Sequence, residues 1–448
     1  MSLTTGAASR FLTHPPGPNR LRETGQPESD ERRNILTDPV LPEPYATPLA
    51  RRLTLPLLVL YGLGVTVGAG IYVLIGEIGH RAGIFAPYAF ILAGALMAPT
   101  TYSFAQLVIR FPVSAGEARY VEEGFGLKWL ALLVGLLVAS AGVISSATIT
   151  AGSVGYIQQF VAVPGPVLIV FIVASFMGIA IIGIKESITF AAILTLVEIG
   201  GLVAIIAGGF LSDLPAVIKG LSAPVAEFDL TAFGLIASVS VLTFFAFTGF
   251  EDMVNVGEEV QEPEKIFPLA IALTLGVTML LYFLVSTVAV SIAAPHELGN
   301  SDAPITLLAE KTGLLSPALL SLIGMLSALN GILIQLIMSS RVVYGLSRQA
   351  ELPKVFSYVH PNRRTPVTAT FMVGAVVLTL ALTFPLAGLA ETTSRVTFVI
   401  FTLVNSAYIA IRLREGASPF ASPRQALDFA IPASGAIGTV LLMVFSFG

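Results

Sequence analysis

Two places in this 448-residue sequence put glycine where an apolar helix would otherwise run unbroken. The segment LTLPLLVLYGLGVTVGAGIYVLIG, Leu53 to Gly76, carries Gly68-Ala69-Gly70 near its middle, with Gly62 and Gly64 one to two turns earlier. A second apolar segment, beginning at Leu230, carries Thr248-Gly249 among aromatic residues, and Glu251-Asp252 follow at once. Irregular backbone at membrane depth is tolerated only where it is buried in protein or lines a cavity. A half-helix starting after Gly70 offers unpaired N–H groups and the positive end of its dipole, which suit a carboxylate. A half-helix ending at Phe247-Thr248 offers unpaired C=O groups, which suit an ammonium. A zwitterionic α-amino acid has one of each, whereas a polyamine or a simple cation would use the carbonyls alone. For any one of these glycines the competing explanation is close helix packing by small residues.

A third candidate is Glu198, which stands in AAILTLVEIGGLVAII with no other charged residue between Ser187 and Ser212. An ionised carboxylate at that depth costs about 2.5 to 3.5 kcal/mol on insertion scales, so the group is neutral, paired or facing a hydrated cavity. Three roles are open to it: taking up a proton during turnover, donating a structural hydrogen bond to a carbonyl of the first span, or binding sodium. Glu251 either pairs within its break, or with a bound ammonium, or caps the second half of its helix. Glu258-Glu259 with Lys265, and Arg341 with Arg348, read as loop ion pairs and inner-gate contacts. His14, His80, His296 and His360 all fall in expected tails or loops, and the scattered Ser and Thr form no triad. With no cysteine, a disulfide scaffold, a thiolate metal site and a cysteine nucleophile are excluded. The expectation is a protein that is not an enzyme and carries no cofactor or metal.

The elements that position these residues must be membrane helices. Hydrophobic residues make up 55% of the chain and charged residues 12%, about half the share usual in soluble domains. The mean hydropathy is +0.85. A net charge of −4 gives no basic excess from which to argue a nucleic-acid partner. A span needs roughly 20 apolar residues. Charge-free runs at Leu53–Gly76, Ala82–Ile109, Leu230–Phe250, Ile266–Pro295, Thr312–Ser340 and Thr365–Ala390 accommodate one helix each. Trp129–Ile184, interrupted by Val163-Pro164-Gly165-Pro166, accommodates two. Ser187–Leu211, a run from about Thr392 to Ile411, and Phe429–Ser446 bring the expectation to about eleven spans.

With the N-terminus inside, all of the 24 Lys and Arg except Arg81, Lys219, Lys311 and Arg395 fall on the cytoplasmic side, as basic residues in membrane proteins do. The breaks then lie in spans 1 and 6, corresponding members of two five-helix halves. Paired Gly-interrupted segments of that kind point to the substrate site of an inverted-repeat transporter.

Four segments carry a family likeness: VTVGAGIYVLIG (Val65 to Gly76), RFPVSAGEARYVEEGFG (Arg110 to Gly126), FFAFTGFEDMVNVGEEVQEPEKIFPLAI (Phe244 to Ile271) and LNGILIQLIMSSRVVYGLSRQAELPKVF (Leu329 to Phe356). Together they resemble the amino acid, polyamine and organocation superfamily, within it the bacterial relatives of the cationic amino acid transporters. The resemblance implies an all-α integral membrane protein of the inverted-repeat 5+5, leucine-transporter type, with helices 1 and 6 unwound. Residues 1–45, Pro-rich and charged and without the apolar core of a signal peptide, are expected to form a disordered cytoplasmic tail; the resemblance places the repeats over 46–213 and 214–412 and a linker with one more helix over 413–448. It further implies that the N–H groups of Ala69 and Gly70 hold a substrate carboxylate while Gly68 and Ile71 shape the turn. The carbonyls of Thr66, Phe245, Ala246 and Thr248 would meet the amino group, and Phe245 would cover it as a gate. Val143, Ser146 and Asn330 would set side-chain selectivity. Proton-coupled relatives carry a lysine in span 5, at or beside the position where this chain has Glu198. Relatives often have twelve or more spans; this sequence offers about eleven, with the core of ten intact. The expected function is secondary active transport of amino acids by alternating access, favouring neutral ones and coupled to a proton, in an inner or plasma membrane; the alternatives are a polyamine or cation carrier of the same fold and a non-transporting amino acid sensor. Its expected partners are the amino acid, the proton and the bilayer; the sequence leaves the oligomeric state open.

Overall fold

The structure, a computed structural model, describes residues 53–112, 116–182, 188–226, 229–348, 352–361 and 365–446. The expected tail over residues 1–45 lies outside the described residues. Among the described residues sixteen α-helices follow one another and there is no β-strand, only an isolated bridge between Leu53 and Val260. They are α1 (Leu55–Val67), α2 (Ala69–Ala82), α3 (Ala86–Arg110), α4 (Gly116–Phe125), α5 (Lys128–Gln158), α6 (Gly165–Ile182), α7 (Ile188–Ser212) and α8 (Leu214–Ala226). The second half holds α9 (Leu230–Phe247), α10 (Pro263–Ile292), α11 (Pro295–Gly299), α12 (Pro304–Thr312), α13 (Pro317–Arg348), α14 (Val367–Thr383), α15 (Leu386–Arg414) and α16 (Pro423–Phe445).

Nine helical stretches among the described residues are long and apolar enough to cross a membrane; α1 and α14 are apolar but shorter. At a rise of 1.5 Å per residue, the 17 residues of α14 reach about 26 Å, at the low end of what a span requires. Outward faces are apolar, as in α6, where Val167, Val170 and Phe171 are all exposed. Such faces suit lipid rather than water.

Start signals explain several boundaries. Asp229 caps α9 by accepting the N–H of Ala232 at 2.7 Å, and Ser422 caps α16 through Gln425 at 3.2 Å. Pro385 precedes α15, so the charge-free run Thr365–Ala390 is divided at Phe384-Pro385, and α15 begins about six residues before the expected Thr392. Charge alone misplaced that boundary because α15 tolerates Glu391 and Arg395 one turn apart, paired at 3.4 Å. The short helices α4, α8, α11 and α12 lie in the connections, where the sequence suggested only loops.

The core between α3, α9, α10 and α15 is aromatic. Phe244 meets Phe398 edge-on at 4.5 Å, Phe104 meets Phe250 at 5.6 Å, and Tyr282 is held between Phe90 and Phe247 at 5.2 and 5.1 Å. One buried polar knot joins α3 to α15: the Asn405 amide donates to Thr100 Oγ1 at 2.8 Å, and its oxygen accepts from Ser103 Oγ at 2.6 Å. With partners on both sides, the amide is satisfied in an otherwise apolar interface.

Candidate functional site at the crossing of two broken helices

The first apolar run is two helices that meet at Gly68, whose φ of −48° and ψ of −123° fit neither helix. The sixth ends at Phe247; Gly249 follows with φ +119°, a left-handed value that glycine adopts without a side-chain clash, and a 3₁₀ helix, Phe250–Glu259, takes over. The two breaks press against each other. A β-carbon on Gly70 would lie 2.7 Å from the Cα of Ala246, and one on Gly249 would lie 2.8 Å from Val65 Cγ1. Only glycine permits either approach.

Helix ends leave main-chain groups without intrahelical partners. The first turn of α2, Ala69 to Tyr72, turns its N–H groups toward the break. On the other side, Thr66 and Ala246 are the penultimate residues of α1 and α9. Both carbonyls lie against one phenol: Tyr282 Oη is 2.7 Å from the oxygen of Thr66 and 2.8 Å from that of Ala246. The Phe245 carbonyl accepts from the N–H and the hydroxyl of Thr248, at 3.1 and 2.7 Å. Glu251 accepts the N–H of Gly249 at 2.7 Å, securing the turn that follows α9.

A recess opens at this crossing, lined by Val65, Thr66, Gly70, Ser145, Ile149, Phe245, Ala246, Thr248, Gly331, Ile334 and Gln335. None of these side chains is ionisable. A second recess shares Ser145, Thr248 and Gln335 with it and continues to Glu117, Glu251 and Asp252. The Gln335 amide donates to Asp252 at 3.2 Å. Glu117 comes from α4, which is not one of the nine apolar stretches, yet its side chain is buried. Burial pushes the Glu117 carboxyl up to about 7, and the charge of Glu251 adds to the rise.

Of the residues singled out from sequence, Thr66, Gly70, Phe245, Ala246 and Thr248 line the first recess; Gly68 and Ile71 are buried in the adjoining turns, and Ala69 opens α2. Val143, Ser146 and Asn330 are not among its lining residues, whose places on α5 and α13 are taken by the neighbours Ser145 and Gly331. Ser146 turns instead toward the Ile332 carbonyl, 3.4 Å away.

Glu198 is buried on α7, which packs against α1 and α13, and neither carboxyl oxygen has a hydrogen-bond partner among the described residues. A bond from it to a carbonyl of the first span is not formed. The contact runs the other way, since Tyr72 in the first turn of α2 donates to the main-chain oxygen of Glu198 at 2.7 Å. Tyr156 of α5 in turn donates to the main-chain oxygen of Tyr72. The buried hydroxyls of Thr66, Thr274, Thr278 and Ser327 also lack partners among the described residues. Thr274 faces α1, 2.7 Å from where a β-carbon of Gly62 would be, and Ser327 faces Gly68.

Sequence reasoning passed over Tyr282, Glu117, Ser145 and Gln335. The usable signal for the first was the spacing Thr274, Thr278, Tyr282, three hydroxyls at four-residue intervals on one face of an apolar helix. For Glu117 the local sequence is that of a polar loop and gave no signal of burial.

A family model described as amino acid permease matches residues 53–448. The chain is 30% identical over 387 residues to the mitochondrial cationic amino acid transporter 3 of Arabidopsis thaliana, an alignment covering 81% of this chain and 63% of that one. It therefore spans less than two-thirds of the length of that relative. It is 27% identical over 380 residues to a branched-chain amino acid permease of Bacillus subtilis, with 80% of each covered. Among solved structures, a Na⁺-coupled sialic acid symporter in a substrate-bound outward-open state matches with a TM-score of 0.61 at 16% identity, over 88% of this chain and 90% of that one. MhsT in complex with L-phenylalanine matches with a TM-score of 0.61 at 14% identity, over 89% and 100%. At such identities the likeness is one of fold, the all-helical leucine-transporter type.

Proposed function

The chain belongs to the amino acid permease family, and from that premise we propose that it is a secondary active transporter of amino acids that works by alternating access, favours neutral substrates and couples to a proton. Its apolar helices make it a multi-pass membrane protein. The observation that carries the proposal is the meeting of Gly70 with Ala246 and of Gly249 with Val65, which brings the start of one half-helix beside the end of another. The N–H groups of Ala69 and Gly70 receive the substrate carboxylate, with Gly68 and Ile71 holding the turn. The carbonyl oxygens of Thr66, Phe245, Ala246 and Thr248 are the acceptors among which the three hydrogens of the ammonium are shared. Phe245 covers the bound molecule, and Val143, Ser146 and Asn330 shape its side-chain pocket from behind the lining. An uncharged lining supports the preference for neutral amino acids. The buried, unpaired carboxyl of Glu198 supports its role in carrying the coupled proton. Residues 46–213 and 214–412 form the two repeats, in an inner or plasma membrane with the N-terminus cytoplasmic.

A second reading has an observation of its own. Glu117, Glu251 and Asp252 close the adjoining recess, where an apolar stem lying along Val138, Met338 and Val342 would bring a distal cation to three carboxylates. A basic amino acid or polyamine fits that description, and the relatives named as cationic amino acid transporters lend it weight. Uptake of the twenty radiolabelled amino acids into proteoliposomes under an imposed proton gradient tests both. Gradient-driven accumulation of neutral amino acids is expected. Competition by a decarboxylated amine as strong as that by its parent amino acid would favour the polyamine reading, and no uptake of any amino acid would overturn the first.

A further inference from the structure

Thr66 and Ala246 hold equivalent places, each one residue from the end of its half-helix, and each has a carbonyl that the helix itself cannot supply with a donor. Tyr282 reaches both from a third helix, α10, at 2.7 and 2.8 Å. Its ring is fully buried and fixed edge-on against Phe90 and Phe247, so the hydroxyl has little freedom to move elsewhere. A phenol has a single hydrogen and two lone pairs. It therefore completes one of the two carbonyls at a time, or shares its hydrogen weakly between them, and the near-equal distances favour neither. A primary ammonium in the recess that Thr66 and Ala246 line has hydrogens to complete the other carbonyl.

We propose that Tyr282 is a positioning residue for amine recognition: its hydroxyl sets the Thr66 and Ala246 carbonyls at a fixed separation and leaves one of them for the ammonium of the substrate. This rests on the reading of the site as an amino acid site. The hydroxyl is matched to an ammonium, and a molecule lacking one gains nothing from it. Tyr282 thus separates an amino acid from its des-amino acid without touching the carboxylate end. A brace that merely held α1, α9 and α10 together would serve both molecules alike.

The test is competitive binding to purified protein, with L-leucine against 4-methylpentanoate and the same pair for whichever amino acid the uptake panel returns. Wild-type protein is expected to prefer the amino form. Tyr282→Phe keeps the ring and removes the hydroxyl, and it should lower affinity for the amino form roughly tenfold, the low end for a hydrogen bond to a charged group, with the des-amino form unchanged. Placing 4-aminophenylalanine at position 282 restores a donor and should restore the preference. If the Phe variant does not fold, 4-aminophenylalanine is compared with O-methyltyrosine at the same position, and the ratio between the two ligands is read in the same way. A donor-free variant that keeps the wild-type preference within twofold, or loses both ligands equally, overturns the role of Tyr282. Wild-type protein with no preference for the amino form overturns the amino acid reading of the site instead.

Discussion

Gly70 and Ala246 meet main chain to main chain, with no room for a side chain on the former: a β-carbon there would lie 2.7 Å from the Cα of the latter. The two breaks are one structure contributed by two distant stretches of sequence. Gly70→Ala should push the first turn of α2 off α9. Overpacking of this kind costs about 1 to 3 kcal/mol, so the variant should still fold with a lowered melting temperature. Its uptake should fall at least tenfold, toward the roughly hundredfold that a 1 Å misplacement can cost a bound geometry. Flux and thermal melting measured on the same preparation check this; unchanged flux would remove the crossing from the mechanism.

Glu198→Gln keeps the shape of the side chain and removes its ability to change charge. Under the proposed coupling, this protein exchanges internal for external amino acid at near wild-type rates but no longer accumulates it against a gradient. Uptake with and without an imposed pH difference is the measurement. Retained proton-driven accumulation would leave Glu198 a structural role.

Glu117 makes stability depend on pH. Its carboxyl is raised to about 7 in the folded protein and returns to an ordinary value, about 4.3, when unfolded. Between those values the folded state holds the proton that the unfolded state has lost, so stability is greatest below about pH 4.3 and declines as pH rises toward 7. The groups facing it are Glu251, Asp252 and Tyr120, none of them basic. Glu117→Gln should flatten the decline and leave the protein more stable than wild type above pH 7. Melting temperatures from pH 5 to 8 for the two proteins provide the comparison, and parallel curves would count against it.

At the other end of α2, Arg81 binds Glu77 at 2.6 Å and Glu391 of α15 at 3.1 Å. Arg395 binds Glu391 too, and it also donates to the main-chain oxygen of Ser446 at 2.6 Å, just past the end of α16. Arg81 is partly exposed and salt-screened, so Arg81→Gln should cost less than about 1 kcal/mol. Arg395→Ala leaves a helix-terminal carbonyl without its donor and should destabilise more. Chemical denaturation of both variants at low and high salt separates the two effects: the Arg81 difference should fade in salt, and the Arg395 difference only by the share its Glu391 pair contributes.

How far the sequence spoke depends on the range of the interaction. The breaks were legible because their cause is local: Gly68 and Gly249 interrupt apolar runs, and a run of hydropathy needs no partner to be recognised. The α14–α15 boundary was equally local, but a search for charges ignores Pro385, and the Glu391–Arg395 pair lets a charged turn remain helical. Tyr282 was illegible for a different reason. An aromatic residue in an apolar helix reads as packing, and its use depends on where two other helices leave their terminal carbonyls. Glu117 belongs with it, since only the docking of α4 against α5 and α15 takes that carboxyl out of water.

The tyrosine bonds have one more consequence. Tyr72 fastens the start of α2 to α7, Tyr156 fastens it to α5, and Tyr282 fastens the end of α1 to α10. These bonds grip the chain on both sides of Gly68, the start of α2 against α5 and α7 and the end of α1 against α10. Swinging the start of α2 clear of α7 therefore requires first unhooking a phenol.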